Sequence, residues 1–312
     1  MNNQQTIIEN IVKGIRKERN DSIPQCSYVI GRSGYGKTYL LNQLSDKLKE
    51  CDVFNIINTD CLLKPIFDTE NFLQYINEKT GEKRNVVLLD NLDDWLDKWT
   101  RTELFRLRSL LYEPHAPIVV GTGRTLPTQF SKYNEPFYDT FSLYTIGEMD
   151  KDCALQLING MRVQHSLPQL GNEMIPKVHA LLSATTYTPS MCRLLSIVPS
   201  YECPINVILR TALMPLTAYY RAMIVRMTPS QRLTWIALLS KGSPMLFSDL
   251  REITGQSGGE LSPQLLMFIK NGLLVSDKVS PKKTLYSISD PIMTAWYKYC
   301  TNDFCENEPT VL

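Results

Sequence analysis

The chain has 312 residues, of which 43% are hydrophobic and 21% are charged, and its formal net charge is +1. These values are ordinary for a soluble globular protein with two or three packed units, and they argue against a uniformly basic nucleic-acid coat. The sequence has no apolar stretch of the roughly 18 residues that a membrane helix needs, no basic-then-apolar amino terminus and no C-x-x-C pair. We therefore expect a cytoplasmic protein with reduced cysteines and no membrane association.

The first fifty residues predict a helix, a strand and a second helix. Apolar residues recur at helical spacing over 7–15, a buried strand is predicted over 26–30, and leucines at helical spacing follow it. Between that strand and the second helix lies the phosphate loop G-x-x-x-x-G-K-T, which consists of Gly31, Arg32, Ser33, Gly34, Tyr35, Gly36, Lys37 and Thr38. In this context the backbone N–H groups can surround phosphate, Lys37 can reach the β- and γ-phosphates, and Thr38 can ligate Mg²⁺. The chain is predicted to bind a nucleoside triphosphate.

Four further apolar segments predict strands that alternate with helices as far as residue 150. The strands are predicted over 53–57, 85–90, 117–121 and 140–145, and helices over 72–76 and 103–111. The segment 85–90 is apolar between its ends, as expected for a parallel strand covered on both faces. The predicted fold class of residues 1–150 is therefore α/β, with the parallel sheet of a P-loop NTPase core.

Acidic residues follow the strand over 85–90. Asp90 ends that strand at the sheet edge where the phosphate loop lies, so we expect it to hold Mg²⁺ directly or through water. Asn91 can orient a water molecule but cannot accept its proton. We expect Asp93 or Asp94 to substitute as the base while the other caps a helix, and we expect hydrolysis to be slow.

The strand over 117–121 is followed by a second candidate group. Arg124 is predicted to sense the γ-phosphate through its planar guanidinium. The alternative is that Arg124 is an ordinary surface arginine in a loop, in which case Thr122 is the candidate sensor. The N-K-x-D element that reads guanine is absent. ATP is therefore the expected nucleotide.

After residue 150 the pattern changes to helices alone. Helices are predicted over 154–161, 175–182, 190–197 and 204–226, the last interrupted by Pro215, and they define an all-helical domain at 151–225. Helices are then predicted over 229–239, 248–253 (capped by Ser248) and 262–270, before two alternating strands over 273–276 and 284–288. Three short helices and a hairpin predict a winged-helix domain at 226–312.

With the phosphate loop, Asp90, Arg124 and a helical lid in this order, nearly the whole chain resembles the AAA+ and STAND branches of P-loop ATPases. It looks closest to prokaryotic and archaeal members with a winged helix after the lid, a plan shared with origin-recognition-type proteins. The tail of that winged helix is matched by Tyr286, Asp290-Pro291 and Trp296. The resemblance implies ATP hydrolysis, and it implies that Pro189 contacts adenine and Arg193 reaches the γ-phosphate. The usual lid element is G-x-P, whereas Tyr187-Thr188-Pro189 lacks its glycine.

One departure from this family concerns the arginine finger. Ring-forming AAA+ enzymes usually carry it between the fourth and fifth strands, where residues 125–140 contain only one cation, Lys132. This departure favours a STAND-like switch in which Arg124 acts in cis and ATP closes the lid. Alternative fingers from an unusual position are Arg101, Arg106 and Arg108.

The winged helix leaves two functions open. In the first, helix 262–270 enters the major groove of duplex DNA and Lys278, Lys282 and Lys283 touch phosphates, in a replication, mobile-element or defence role. Residues 226–312 contain nine lysine or arginine and eight acidic residues, so DNA affinity is expected to be weak unless ATP or oligomerisation raises it. In the second, the chain is a signalling or scaffold ATPase with slow or negligible hydrolysis. Its winged helix then packs on the chain's own lid or binds protein, as a partner or a second copy, and residues 302–308 form an acidic tail.

Overall fold

The computed structural model describes residues 3–17, 23–64, 66, 68–78, 83–280 and 283–301. The chain divides into two compact units, Met1–Gly147 and Glu148–Leu312. The elements of the first unit are α1 (Asn3–Lys17), β1 (Cys26–Ile30), α2 (Lys37–Lys49), β2 (Phe54–Asp60), α3 (Thr69–Asn77), β3 (Arg84–Asp90), α4 (Leu92–Leu96), α5 (Arg101–Leu111), β4 (Ile118–Gly123), α6 (Thr128–Ser131) and β5 (Phe141–Thr145).

The first unit is built on a five-stranded parallel sheet in the order β2-β3-β4-β1-β5. Successive side chains of β3 pack into the cores on opposite faces of the sheet, because side chains alternate across a strand. Val86 and Leu88 pack with α1 and α2 on one face, whereas Val87 and Leu89 pack with an aromatic core from α3, α4 and α5 on the other. The α/β prediction is confirmed.

Several elements of the first unit differ from the sequence prediction, among them the unpredicted helix α6 (Thr128–Ser131). The second strand was predicted to end at residue 57 but continues to Asp60, in register with Asp90 of β3. The helix α4, which was not predicted, begins directly after β3 because Trp95 and Leu96 bury their side chains in the aromatic core.

The second unit begins with helices. Its elements are α7 (Lys151–Gln164), α8 (Ile175–Ala184), α9 (Pro189–Ser196), α10 (Ile205–Leu213), α11 (Thr217–Val225), α12 (Pro229–Lys241), β6 (Met245–Leu246), α13 (Phe247–Thr254), α14 (Gly258–Lys270), β7 (Leu274–Ser280), β8 (Lys283–Ile288) and α15 (Pro291–Cys300), with 3₁₀ turns at Asn172–Met174 and Met214–Leu216. The helices α7 to α11 form the lid, and the later elements form a winged helix with a three-stranded antiparallel sheet in the order β6-β8-β7.

The winged helix corrects three details of the prediction. The helix predicted from residue 262 begins at Gly258, because Ser257 and Glu260 form a capping box ahead of it. Ser248 lies inside α13 and caps nothing, since that helix begins at Phe247. The predicted hairpin gains a third strand, β6. Lys282 and the acidic tail over 302–308 lie outside the described residues.

One hydrophobic core runs through the whole second unit, from α7 of the lid to α15. Trp296 of α15 donates its indole N–H to Thr217 Oγ1 over 3.0 Å, and Tyr220 donates its hydroxyl to Asp290 Oδ2 over 2.8 Å. Burial raises the pKa values of both Tyr220 and Asp290. The boundary between the two compact units lies at residue 147. The predicted boundary between the lid and the winged helix near residue 225 stays a prediction.

Of the helices described, none combines the length and apolarity needed to cross a bilayer. Seven cysteines are described, and all of them are free thiols.

Candidate functional site

The phosphate loop, Gly31–Thr38, connects the end of β1 to the start of α2. Its glycines are needed for the backbone path: Gly34 and Gly36 have φ values of 80° and 91°, a region that side-chain-bearing residues rarely adopt. The Gly31 N–H donates to the Gly123 carbonyl over 3.0 Å, and a Cβ on Gly31 would lie 2.5 Å from Ile146 Cγ1. The loop is therefore anchored on neighbouring strands, and the N-terminus of α2 opens into it.

Lys37, the first residue of α2, lies along the inside of this loop. Its ammonium donates to the carbonyls of Gly31 (2.6 Å) and Arg32 (3.1 Å), and its side chain is buried. Burial lowers the pKa of Lys37 to about 8, against the opposing effect of Asp90 and Asp93. The ammonium of Lys37 is therefore held inside the loop by two of its carbonyl groups.

Asp90 is held from two sides by hydroxyl groups. Thr38 Oγ1 donates to its Oδ2 over 2.5 Å, and the fully buried Thr122 donates to its Oδ1 over 2.6 Å. A hydroxyl and a carboxylate in contact beside a phosphate loop are a donor set that fits Mg²⁺, a cation that prefers oxygen ligands and binds with substrate phosphates. The sequence predicted Thr38 and Asp90 as these ligands, and the structure brings them together. Thr122, predicted only as a sensor, orients Asp90 instead.

Asp93 and Arg124 form a pair beside this network. Asp93 Oδ2 accepts from the Arg124 backbone N–H (3.0 Å) and from its Nε (3.2 Å). The other oxygen, Oδ1, is buried and has no hydrogen-bond partner among the residues that the structure describes. Asp94 pairs with Lys98 over 2.5 Å, and no side chain caps α4, contrary to the expectation that one of the two aspartates would do so. The structure thus places the predicted base against the predicted sensor.

Asn91 adopts the left-handed conformation between β3 and α4, with φ of 56°. Its backbone N–H donates to Thr122 Oγ1 (3.2 Å), and its side-chain Nδ2 donates to Asp60 Oδ1 (3.1 Å). The sequence analysis did not identify Asp60. The available signal was that Asp60, like Asp90, is an aspartate that ends a strand.

Gln4 of α1 is a second residue that the sequence analysis missed. It is buried, and its Nε2 donates to the carbonyl of Tyr35 in the phosphate loop over 2.6 Å. The sequence did contain a signal for its burial: Gln4 precedes Ile7 by three residues and Ile8 by four, so it lies on the buried face of α1. Arg32 and Ser33 lie in the same loop between β1 and α2, and their contact with phosphate stays a prediction.

The two predicted lid residues belong to the second unit. Pro189 is the first residue of α9, which Thr188 caps by accepting from the Met191 N–H. Arg193 is an exposed residue of the same helix. Their contacts with adenine and with the γ-phosphate stay predictions.

The three alternative finger arginines each have partners within the first unit. Arg101 donates to the Asn134 carbonyl (2.8 Å) and pairs with Glu135 (3.3 Å). Arg106 pairs with Glu103, and Arg108 lies over the ring of Tyr112. Of these, Arg101 therefore contacts the segment between β4 and β5, through Asn134 and Glu135.

No protein-family model matches the sequence, and no curated protein matches it. Solved structures with a similar fold include the Walker-type ATPase PABY2304 of Pyrococcus abyssi, which is 11% identical with a TM-score of 0.65 over 93% of this chain and 94% of that one. The Aeropyrum pernix ORC1 protein in complex with DNA is 12% identical (TM-score 0.53; 97% and 92% covered). A Thermotoga maritima RuvB mutant, K64R, is 13% identical (TM-score 0.53; 91% of each chain).

These similarities extend over both units. At such low identities they concern the fold alone, and they confirm the predicted architecture of a P-loop NTPase core, a helical lid and a C-terminal winged helix.

Proposed function

We propose that this chain is an ATP-driven switch that binds MgATP at the phosphate loop and hydrolyses it. The observation that carries the proposal is the contact of Thr38 and Thr122 with the two oxygens of Asp90, together with the buried ammonium of Lys37 inside the same phosphate loop. An aspartate that only caps a helix accepts from backbone N–H groups, whereas Asp90 accepts from two side-chain hydroxyls beside the glycine-rich loop. The N-terminus of α2 adds a favourable site for phosphate charge.

Each group then has a task in phosphoryl transfer. Lys37 can turn from the loop carbonyls to the β- and γ-phosphates, and Thr38 and Asp90 would hold Mg²⁺, which when bound neutralises charge on the phosphates. Asp93 fixes Arg124 through the Nε side of its guanidinium, so that Arg124 is oriented as a sensor of the γ-phosphate. In the lid, Pro189 and Arg193 are proposed to contact the adenine and the γ-phosphate.

The test compares ATP turnover and ATP binding by the wild type, Lys37→Ala and Lys49→Ala. Lys49 lies exposed at the far end of the same helix and serves as a matched control. We expect Lys37→Ala to lose binding and at least about 99% of turnover, while Lys49→Ala keeps both. Equal turnover by the wild type and Lys37→Ala would mean that the activity is not that of this site.

We further propose that the winged helix engages duplex DNA when ATP is bound. Support comes from the DNA complex in the Aeropyrum pernix neighbour and from the exposed lysines Lys278 and Lys283 on the wing. Duplex binding measured by fluorescence anisotropy should require ATP and weaken as salt rises. Lys278→Glu with Lys283→Glu should abolish it, whereas Lys241→Glu at the end of α12 should have a smaller effect.

A specific observation favours the alternative, a STAND-like signalling or scaffold role with a protein partner or a second copy of the chain. Around α14 the exposed residues include Ile253, Leu266 and Val279, which are 59%, 65% and 63% exposed, and the helix itself carries one cation, Lys270. If the protein binds no DNA at low salt in the presence of ATP, the DNA-binding proposal fails and the protein-binding role remains. Self-association that ATP induces and Leu266→Glu removes, measured by sedimentation velocity, would support it.

A further inference from the structure

The ends of β2 and β3 carry a carboxylate and an amide in direct contact. Asp60 and Asp90 are paired in register, and the Cys61 N–H donates to the Asp90 carbonyl over 2.9 Å, so the strands stay joined up to the site. Asn91 follows Asp90, and its Nδ2 donates to Asp60 Oδ1 over 3.1 Å. The amide that cannot accept a proton is therefore bonded to a carboxylate that can.

The other acidic residues at this edge have different tasks. Asp90 is bound by Thr38 and Thr122, Asp93 by Arg124, and Asp94 by Lys98. Asp60 is half-buried, forms no ion pair in the described part of the chain, and uses Oδ1 for both of its side-chain hydrogen bonds, from Asn91 and from the Leu62 N–H. Its Oδ2 accepts no hydrogen bond from any described residue.

We propose that Asp60 is the general base of ATP hydrolysis and that Asn91 is its partner in positioning the attacking water, an assignment that rests on the proposed function. Asn91 holds the water through its side-chain oxygen, since its Nδ2 is bonded to Asp60. The water oxygen forms a bond to the γ-phosphorus while the bond from that phosphorus to the β,γ-bridging oxygen breaks. ADP leaves with the electron pair of that bond, and the water proton passes to Asp60 Oδ2.

The anchoring of Asn91 explains why the two residues act as a unit. Its backbone N–H is bonded to the same Thr122 hydroxyl that orients Asp90. The pair is thereby fixed to the carboxylate that is proposed to hold Mg²⁺, so a water bound by the pair has a set position relative to the γ-phosphate. Asp60 on β2 thus acts as the base, a role that the sequence predicts for Asp93 or Asp94.

The test uses Asp60→Asn, which is isosteric and keeps an Oδ1 that can accept both hydrogen bonds. We expect kcat to fall by about 100-fold or more while the Kd for ATP stays within about threefold of the wild type. The control is Asp52→Asn, at an exposed aspartate paired with Lys83 in the same unit, and it should change neither value. In the double variant Asp60→Asn/Asn91→Glu, a carboxylate returns to the end of β3, and at least about tenfold of the lost rate should return.

The measurements separate this proposal from the proposed function. If Lys37-dependent turnover is present and Asp60→Asn keeps a third or more of it, Asp60 is not the base although the chain is an ATPase. A loss of ATP affinity as large as the loss of rate would also overturn the assignment. If the wild type binds ATP without any Lys37-dependent turnover, the proposed hydrolysis and the base assignment fail together.

Discussion

Lys37 combines a positive charge with a buried position. Its pKa is lowered from 10.5 to about 8, mainly by burial. Below pH 8 the lysine is protonated in both the folded and the unfolded chain, so the folded state carries the full cost of burying the ammonium. Between pH 8 and 10.5 the folded state loses the proton first, so this group makes the free energy of unfolding rise with pH, by about 3 kcal/mol in all.

The same pKa predicts how ATP affinity depends on pH. Phosphate binding requires the ammonium, so above pH 8 the protein must take up a proton in order to bind ATP. The Kd for ATP, measured by calorimetry between pH 7 and 9.5, should be level up to about pH 8 and then rise, at most about tenfold per pH unit. Lys37→Arg should bind more weakly but without this rise, because arginine keeps its charge. A wild-type Kd that stays constant to pH 9.5 would contradict the lowered pKa.

The hydroxyl of Thr122 joins Asp90 to the backbone of Asn91. Thr122→Val keeps the shape of a fully buried side chain but leaves Asp90 Oδ1 without its donor and the Asn91 N–H without its acceptor. We expect the free energy of unfolding, measured with urea, to fall by about 1–3 kcal/mol. Thr211→Val is the control, because that exposed threonine only bonds back to its own helix. Equal effects of the two changes would mean that the buried network contributes nothing.

At the scale of elements, the end of β4 is the tightest point of the site. A Cβ on Gly123 would overlap the hydroxyl of Tyr28 and lie 3.2 Å from Asp93 Cγ. Tyr28 is fully buried in β1 and donates to the Thr125 carbonyl, so it has no room to retreat. The glycine therefore sets the spacing between β1, β4 and the first turn of α4.

Gly123→Ala should accordingly destabilise the first unit by about 1–3 kcal/mol and reduce ATP turnover, because Asp93 and Arg124 must shift. Gly160→Ala is the opposite control. A Cβ at this position of α7 meets no atom within 4 Å, and it should stabilise the chain by about 0.5–1 kcal/mol. Thermal unfolding and steady-state kinetics on both variants measure the two effects, and an unchanged Gly123→Ala protein would refute the packing argument.

Local sequence signals were enough for some elements and not for others. The strand, phosphate loop and helix from residue 26 onward were predictable because glycine positions and apolar spacing are local. The extension of β2 to Asp60 was not, since it depends on pairing with β3, and neither was the contact of Gln4 with Tyr35 across 31 residues. The start of α14 at Gly258 was missed, because its N-cap, Ser257, lies five residues before the predicted start at residue 262 and forms a capping box with Glu260.

At the scale of the whole molecule, the two compact units each contain two of the four tryptophans. Trp95 and Trp99 lie in the aromatic core of the first unit, and Trp235 and Trp296 lie in the core of the second. Replacing Trp235 and Trp296 with Phe leaves tryptophan fluorescence that reports on the first unit alone.

This variant allows the ligand effect to be assigned to one unit. MgATP at about 100 times its Kd should stabilise the tryptophan-reported transition of the first unit by about 2.7 kcal/mol. The converse variant, with Phe at Trp95 and Trp99, should report a smaller shift for the second unit. Adding Lys37→Ala should remove the shift in both cases. Equal shifts in the two reporters would mean that the units unfold as one.

The continuous core of the second unit also has a mechanical consequence. Helices of the lid and of the winged helix share buried side chains, and Trp296 and Tyr220 tie α15 to α11 through hydrogen bonds from indole and phenol groups. Close-packed interiors transmit strain because they have little free volume to absorb it. The second unit should therefore move as one stiff body, so that a displacement of α9 is carried through the shared core to the strands of the wing.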